Sequence, residues 1–226
     1  MAACTVLAAQ SGPTGEVWRF DRLDRIGGHP VTVLGHPRVI DTPAGKAVEF
    51  NGIDDALLVD VHPLAGAQTF TWEVIFRPDP GGAAEQRFFH LQERGTENRL
   101  LLEIRVIGSQ WCFDSFALSG AGRQTLLNRE KLHPLGVWHH VAAVYDGREF
   151  RQYVDGVLEG AAEMKWTPQG EGQSSVGTRI NRRDYFKGAI RRARMTPRAL
   201  SPDEFWKGGA GGLAAGSKTV TATPAR

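Results

Sequence analysis

Cysteine is scarce: two among 226 residues, Cys4 and Cys112. One falls near the N-terminus and the other in a strand-like run, so no disulfide framework is expected. No cysteine and histidine spacing matches a zinc site. No apolar run approaches the roughly 20 residues that span a bilayer as a helix. Charge of one sign is lacking too, with 27 basic against 25 acidic side chains and a net +2. Nucleic acid is therefore not an expected partner on charge. Gly81-Gly82 and Gly208-Gly209 lack the strand-to-helix setting of a phosphate-cradling loop. Helical periodicity is nearly absent. Its one signal is Ser201-Pro202-Asp203-Glu204-Phe205-Trp206, a short turn with Ser201 as N-cap and Pro202 at its first position.

What remains is a series of short strands. Hydrophobic residues make up 41% and there are six tryptophans, enough for a sizeable core. Strand patterns run over 17–20, 46–52, 56–61, 69–76, 86–93, 99–107, 111–118, 138–145, 150–154, 174–180 and 189–195. Turn signals separate nearly all of them, which argues for an antiparallel sandwich and against alternating strands and helices. Trp138 to Tyr145 reads as a strand and Asp146-Gly147 begins a turn. Phe150 to Val154 returns, closed by Asp155-Gly156. The expected organisation is a leader remnant over 1–15, one all-β domain over 16–207 and a flexible Gly-, Ala- and Thr-rich tail over 208–226. The start, Met1 to Gln10, resembles the end of a trimmed export signal, and Ala2-Ala3-Cys4 resembles the end of a lipoprotein box with Cys4 acylated. Export is the expected fate, with a lipid anchor at Cys4 as its variant.

Strand parity assigns faces. Leu100, Leu102, Ile104 and Val106 share one face, which turns Arg99, Glu103 and Arg105 outward. Phe70, Trp72, Val74 and Phe76 inside turn Glu73 outward. Phe89 and Leu91 inside leave Phe88, His90 and Gln92 outside. Phe150 and Val154 inside expose Arg151 and Tyr153. Val176 and Ile180 inside expose Ser175, Arg179 and Asn181. Two strands are ambiguous. Trp111 and Phe113 compete with Cys112, Asp114 and Phe116; His139 and Tyr145 compete with Trp138, His140 and Val144. Placing Trp138 inside exposes His139 and Tyr145.

If these strands share one sheet, its open face carries Glu73, His90, Gln92, Glu103, Arg105, His139, Tyr145, Arg151, Tyr153 and Arg179. Arg beside carboxylate makes bidentate bonds to hydroxyls or uronates, aromatic faces stack on sugar rings, and His and Tyr move protons. This mixture suits a carbohydrate. The alternative is a structural lattice in which Glu73 pairs with Arg105 and Glu103 with Arg151. Arg179, Arg182, Arg183, Arg191, Arg192, Arg194 and Arg198 crowd one stretch, read either as a solvated sheet edge or as a surface for an acidic ligand.

Four pieces together resemble a known family: Phe50-Asn51-Gly52-Ile53-Asp54-Asp55, Phe70 to Asp79, Val137 to Gly156, and Phe186-Lys187-Gly188-Ala189-Ile190 running on to Phe205. They are similar to the laminin-G-like jelly roll of the concanavalin A-like lectin/glucanase superfamily, over about 48 to 206. The resemblance implies a two-sheet antiparallel sandwich and a polysaccharide or oligosaccharide partner, acidic in one version. It also implies calcium as a candidate cofactor at one rim, where Asn51, Asp54 and Asp55 supply oxygens near a turn. The alternative there is a turn capped by its own side chains. Arg191 and Arg192 stand where the family often has acidic residues. The Glu-x-Asp-x-x-Glu motif of the superfamily's glucanases is absent. Phe88 to Gln92 and Leu102 to Arg105 are loosely similar in content to alginate-lyase-like members.

The titratable face favours a polysaccharide-active enzyme. In β-elimination Arg105 or Arg179 would neutralise a uronate, His90 or His139 would take the proton, and Tyr153 or Tyr145 would protonate the leaving oxygen. In hydrolysis Glu73 and Glu103 would act as the carboxylate pair. Gln92, Arg151, Asn181 and Trp111 complete the candidate substrate contacts. The alternatives are a non-catalytic glycan-binding module and a protein–protein adhesion domain.

Overall fold

The computed structural model describes residues 15–207. The leader, Cys4 and the tail beyond Lys207 lie outside the described residues. The strands are β1 (Glu16–Arg19), β2 (Arg25–Ile26), β3 (His29–Leu34), β4 (Arg38–Thr42), β5 (Gly45–Asn51) and β6 (Ala56–Val59). There follow β7 (Phe70–Pro78), β8 (Glu85–Glu93), β9 (Arg99–Ile107), β10 (Gln110–Ser119), β11 (Gly122–Leu127) and β12 (His133–Pro134). The last are β13 (His139–Tyr145), β14 (Glu149–Val154), β15 (Val157–Glu163), β16 (Gly172–Val176) and β17 (Lys187–Thr196), then a 3₁₀ turn at Pro202–Glu204.

They form two antiparallel sheets of a jelly-roll sandwich. The first runs β15-β14-β13-β7-β17-β5-β4, with β1 added on β17; the second runs β11-β10-β9-β8-β16-β6-β3-β2, with β12 added on β10. The outward-facing candidates are therefore divided: β7, β13 and β14 belong to the first sheet, β8, β9 and β16 to the second. The premise of one shared open face is corrected by this partition.

Aromatic residues fill the space between the sheets. Trp18, Phe20, Phe70, Trp72, Phe76, Phe88, Phe89, Trp111 and Phe113 are all buried there. Phe76 and Phe88 stack across the sandwich at 4.4 Å between ring centroids. Such pairs add about 1 kcal/mol to what burial of the rings contributes. Phe88 was expected outside. A register shift between Arg87 and Phe89 in the β8–β9 ladder lets two consecutive phenylalanines point inward, as a bulge does. At Asp155-Gly156 both residues have positive φ, 49° and 82°, the conformation of the tight hairpin turn read from the sequence. At Gly188 an added Cβ would overlap the Arg77 carbonyl oxygen, so β17 lies closely along β7 only with glycine there.

A second, smaller cluster covers the outer face of the first sheet. Leu200 and Phe205 pack on Ala142, Val144 and Tyr153. The segment is anchored by a closed turn, in which the Glu204 carboxylate accepts the Ser201 N–H at 3.0 Å.

Candidate functional site

The outer face of β8–β11 carries most of the charge that sequence parity turned outward. The ladders set rows across it: Arg87, Glu103 and Asp114 in one, Glu85, Arg105 and Cys112 in the next, and His90, Leu101, Phe116 and Thr125 in another. Arg105 is the hub. Its Nη2 donates to Asp114 at 2.6 Å and to Glu103 at 3.1 Å, and its Nη1 reaches Glu85 at 2.6 Å. Arg87 reaches Glu103 at 3.2 Å and also pairs with Asp184. The expected partners of the lattice alternative were wrong, since Glu73 and Arg151 lie on the other sheet, but a lattice of this kind exists.

Burial and the adjacent Asp114 carboxylate push the Glu103 carboxyl up to about 7, against the pull of Arg87, Arg105 and Arg179. Burial also raises Asp114, and Arg105 opposes it. Near neutral pH Glu103 is therefore divided between a carboxylate and a neutral acid able to donate a hydrogen bond. One Asp114 oxygen, Oδ1, is buried without a hydrogen-bond partner.

Beside this pair lies a depression of about 180 Å³ lined by Arg87, Arg99, Glu103, Phe116, Arg123 and Arg179, among others. The Arg99 and Arg123 guanidiniums sit 4.8 and 5.5 Å from the Phe116 ring centroid, at cation–π distance. Arg123 and Arg179 make no ion pair with a carboxylate among the described residues, and Arg99 has only the outlying Glu97, at 3.2 Å. Burial and the positive charge of Arg179 make the Arg99 guanidinium less basic than usual. The depression is thus a place where positive charge is concentrated and incompletely answered.

His90 belongs to this face but is fully buried. Its Nδ1 accepts the Ile180 N–H at 3.0 Å, and its Nε2 has no partner. Burial, with Arg179 and Arg99 nearby, depresses its pKa well below the usual value, so the ring is neutral with its proton on Nε2. Gln92 donates to the Thr96 carbonyl. Asn181 is exposed on the loop after β16, which ends at Val176 and not at Ile180 as the pattern suggested.

The other candidates lie elsewhere. His139, Tyr145 and Trp111 were read as exposed or ligand-facing; all three are in the core between the sheets. His139 shares a hydrogen bond with Asp155 at 2.8 Å and packs edge-on against Trp111 at 5.2 Å. Tyr145 donates to the Met164 carbonyl. Trp138 was placed inside, but it precedes β13 and lies half-buried under Arg77 and Arg191. That one-residue choice inverted the whole strand. Glu73 does point to the outer face of the first sheet, as parity indicated, but the C-terminal segment seals it in. It accepts from His140 at 3.0 Å, from the Trp206 N–H at 2.9 Å and from Arg194. Burial alone would raise its pKa, and these donors together hold it below the usual value. Tyr153 packs under Phe205, and Arg151 pairs with Asp146 and Glu149.

At the rim, Asn51 Oδ1 accepts the N–H groups of Ile53, Asp54 and Asp55 at 2.8, 3.1 and 3.3 Å. Asp55 accepts from the backbone of His36 and Asn51, and Asp54 from the Asn51 amide. As arranged, these oxygens face N–H donors.

Over residues 51–205 the chain matches the laminin G model of the concanavalin A-like lectin/glucanases superfamily. It belongs to that superfamily. No curated protein matches it. Among solved structures, it is similar to domain 4 of AbnA, an extracellular GH43 arabinanase from Geobacillus stearothermophilus, solved with arabinotriose. The TM-score is 0.56 at 18% identity, covering 84% of this chain and 97% of that one. It is also similar to the receptor-binding domain of botulinum neurotoxin type G, with TM-score 0.60 at 12% identity, covering 85% of this chain and 50% of that one. The chain therefore spans about half the length of such toxin domains. At these identities the likeness speaks for the fold alone. Among the described residues no helix is long and apolar enough to cross a membrane.

Parity of β8 and β9 located Glu103, Arg105, His90 and an outward Arg99, but Arg87, Asp114, Phe116 and Arg123 were missed as site residues. The signal for two of them was the Gly108 turn. Read as a β9–β10 hairpin, it sets Asp114 opposite Glu103 and Phe116 opposite Leu101.

Proposed function

We propose that the chain is a non-catalytic glycan-binding domain that takes an acidic saccharide on the outer face of β8–β11. The observation that carries this reading is the group of Arg99, Arg123 and Arg179 around Phe116, positive charge without enough carboxylate to answer it. A uronate, sulfate or similar group would supply the missing anions through paired N–H···O bonds. Glu103, in its neutral form, would donate to a neighbouring hydroxyl. The fold supports the ligand class: the arabinanase domain was solved with arabinotriose, and cell entry by botulinum neurotoxin type C, whose structure is similar at TM-score 0.57, depends on ganglioside molecules. Export of the chain belongs to the same proposal, since that arabinanase is extracellular.

Turnover is the less supported reading because its groups are dispersed. His139 and Tyr145 are in the core, Glu73 and Tyr153 are covered on the opposite sheet, and the His90 ring is enclosed. Of the acid–base candidates only Glu103 lines the depression with Arg179, without Glu73 as its carboxylate partner, and general acid–base catalysis requires its groups within hydrogen-bond reach. Affinity electrophoresis in gels containing polygalacturonate, a sulfated polysaccharide or a neutral glucan tests the proposal. Absorbance of unsaturated uronates and reducing ends are followed in parallel. Retardation by an acidic polymer, weakened in Arg179→Gln, is expected without new absorbance or ends. Retardation by the neutral glucan alone would refute the acidic ligand, and sustained product formation would refute the non-catalytic role.

A further inference from the structure

The arginine-rich stretch noted in the sequence does not act as one patch. Arg194 is committed to Glu73 and Arg198 to Glu204, while Arg179 belongs to the site on the second sheet. Arg182 and Arg183 are exposed on the loop between β16 and β17, which leaves Arg191 and Arg192, at the register shift of β17. The β1–β17 ladder sets Arg19 directly opposite Arg192. The three line a depression of about 270 Å³ with Asp21 and Lys46. Lys46 is paired with Asp41 at 2.9 Å, and none of the three arginines has an ion pair among the described residues. Arg192 is seated with its guanidinium 4.0 Å from the Trp206 ring centroid, and its buried Nε has no acceptor. Burial, then the charges of Arg191 and Arg19, make it less basic than usual. Glu73 lies close enough to oppose this, but its oxygens are already engaged by His140, Arg194 and the Trp206 N–H.

Like charges at such spacing repel, and the arrangement is costly unless an anion completes it. Lone solvated arginines would be expected to splay apart; here Arg192 rests on Trp206 beside Arg194, and Arg191 on Trp138 beside Arg77. A single carboxylate is saturated by one bidentate guanidinium. Three guanidiniums arriving from two strands suit a tetrahedral oxyanion with more acceptor atoms and a second negative charge.

We propose that Arg19, Arg191 and Arg192 form a second anion site, on the outer face of the first sheet, for the sulfate or phosphate ester group of a saccharide. It is separate from the β8–β11 site and stands without it. The test is a titration of the full chain with inorganic sulfate or inorganic phosphate. Arginine Nε–H resonances are followed against sodium chloride at matched ionic strength. Saturable shifts of Arg191 and Arg192 are expected, with binding about tenfold weaker in Arg192→Gln and unchanged in Arg179→Gln. Saturation by sulfate alone assigns a sulfate ester, and by phosphate alone a phosphate ester. Because Arg192→Gln also loosens the seat of Trp206, Arg19→Gln serves as a second variant; Arg19 is exposed at the opposite position of the ladder and should weaken binding similarly when replaced. The proposal is overturned if sulfate, phosphate and chloride cause the same unsaturated drift, or if neither variant changes the affinity. The Arg179→Gln protein tells this failure from failure of the β8–β11 site, because each variant disables one face.

Discussion

Glu103 and Asp114 face each other across β9 and β10 and share one guanidinium nitrogen of Arg105, at 3.1 and 2.6 Å. Burial first, and then the Asp114 charge beside it, raise the Glu103 pKa to about 7 against the pull of Arg87, Arg105 and Arg179. A carboxyl whose folded pKa exceeds its unfolded one favours the fold while protonated. Its contribution is complete below the unfolded value near 4.5 and is lost as pH rises through 7. The shift corresponds to on the order of 3 kcal/mol. His90 acts in the opposite sense over part of this window, because its depressed pKa favours the fold above the unfolded value of 6.5. The comparison must therefore be differential. Glu103→Gln, which mimics the protonated acid, should gain stability relative to the parent between pH 5 and pH 8 in urea denaturation. Parallel pH profiles would show that Glu103 holds no such proton.

Glu73 is expected to be structural. It is fully buried and is the joint acceptor for His140, Arg194 and the Trp206 N–H. Glu73→Ala would strand a cation and two further donors, at a cost of about 3–5 kcal/mol. The segment from Ala199 to Trp206 should then lose amide protection ahead of the rest. Glu73→Gln, which keeps one acceptor oxygen, should lose less. Glycan retardation by either variant should match that of the parent wherever the protein is folded, which a catalytic or ligand-binding Glu73 would not allow.

The fold was legible because alternation in β7, β9 and β14 survives any uncertainty about sheet order, and Asp155-Gly156 specifies its own turn. Face assignment failed where alternation offered two equal answers. In β13 both parities are apolar enough to be core, since Val141 and Ala143 face the sandwich while Ala142 and Val144 face Leu200 and Phe205. A strand buried on both sides carries no parity signal. The site was half legible for a different reason. Parity gives the face of each strand, but only pairing tells which strands share a sheet, and pairing is set by contacts remote in sequence. Glu73 and Glu103 looked like partners and are on opposite faces of the molecule; Glu103 and Asp114 are partners that a hairpin reading of Gly108 would have joined.

His139 should behave as a core residue. Its ring packs among Trp111 and His133 and bonds Asp155, whose other oxygen holds the His140 N–H at 2.9 Å. His139→Ala would leave a cavity and release the Asp155 turn, a loss of about 2–4 kcal/mol. Thermal unfolding should register it. Affinity for an acidic glycan at a temperature where the variant is folded should stay within about twofold of the parent, a difference near the scatter of a surface substitution.

The β8–β11 site should be strongly salt-dependent, and in a graded way. Arg123 is exposed and Arg99 and Arg179 are half-buried, and charges open to solvent are screened within about 10 Å at 0.1 M salt. Arg123→Gln should therefore weaken binding least and flatten its salt dependence most. Arg179→Gln, removing a less exposed charge beside Glu103, should cost about 1.5–3 kcal/mol, the value of a charge-assisted hydrogen bond. Phe116→Ala removes no charge, yet both Arg99 and Arg123 rest on that ring. It should lower affinity by about 1 kcal/mol through loss of their shared seat while leaving the salt slope intact. Titrations of the four proteins with an acidic oligosaccharide at two or three salt concentrations separate these effects. If Phe116→Ala changes the slope as Arg123→Gln does, the ring is not a passive support. If all three substitutions leave affinity unchanged, the acidic ligand lies elsewhere on the molecule.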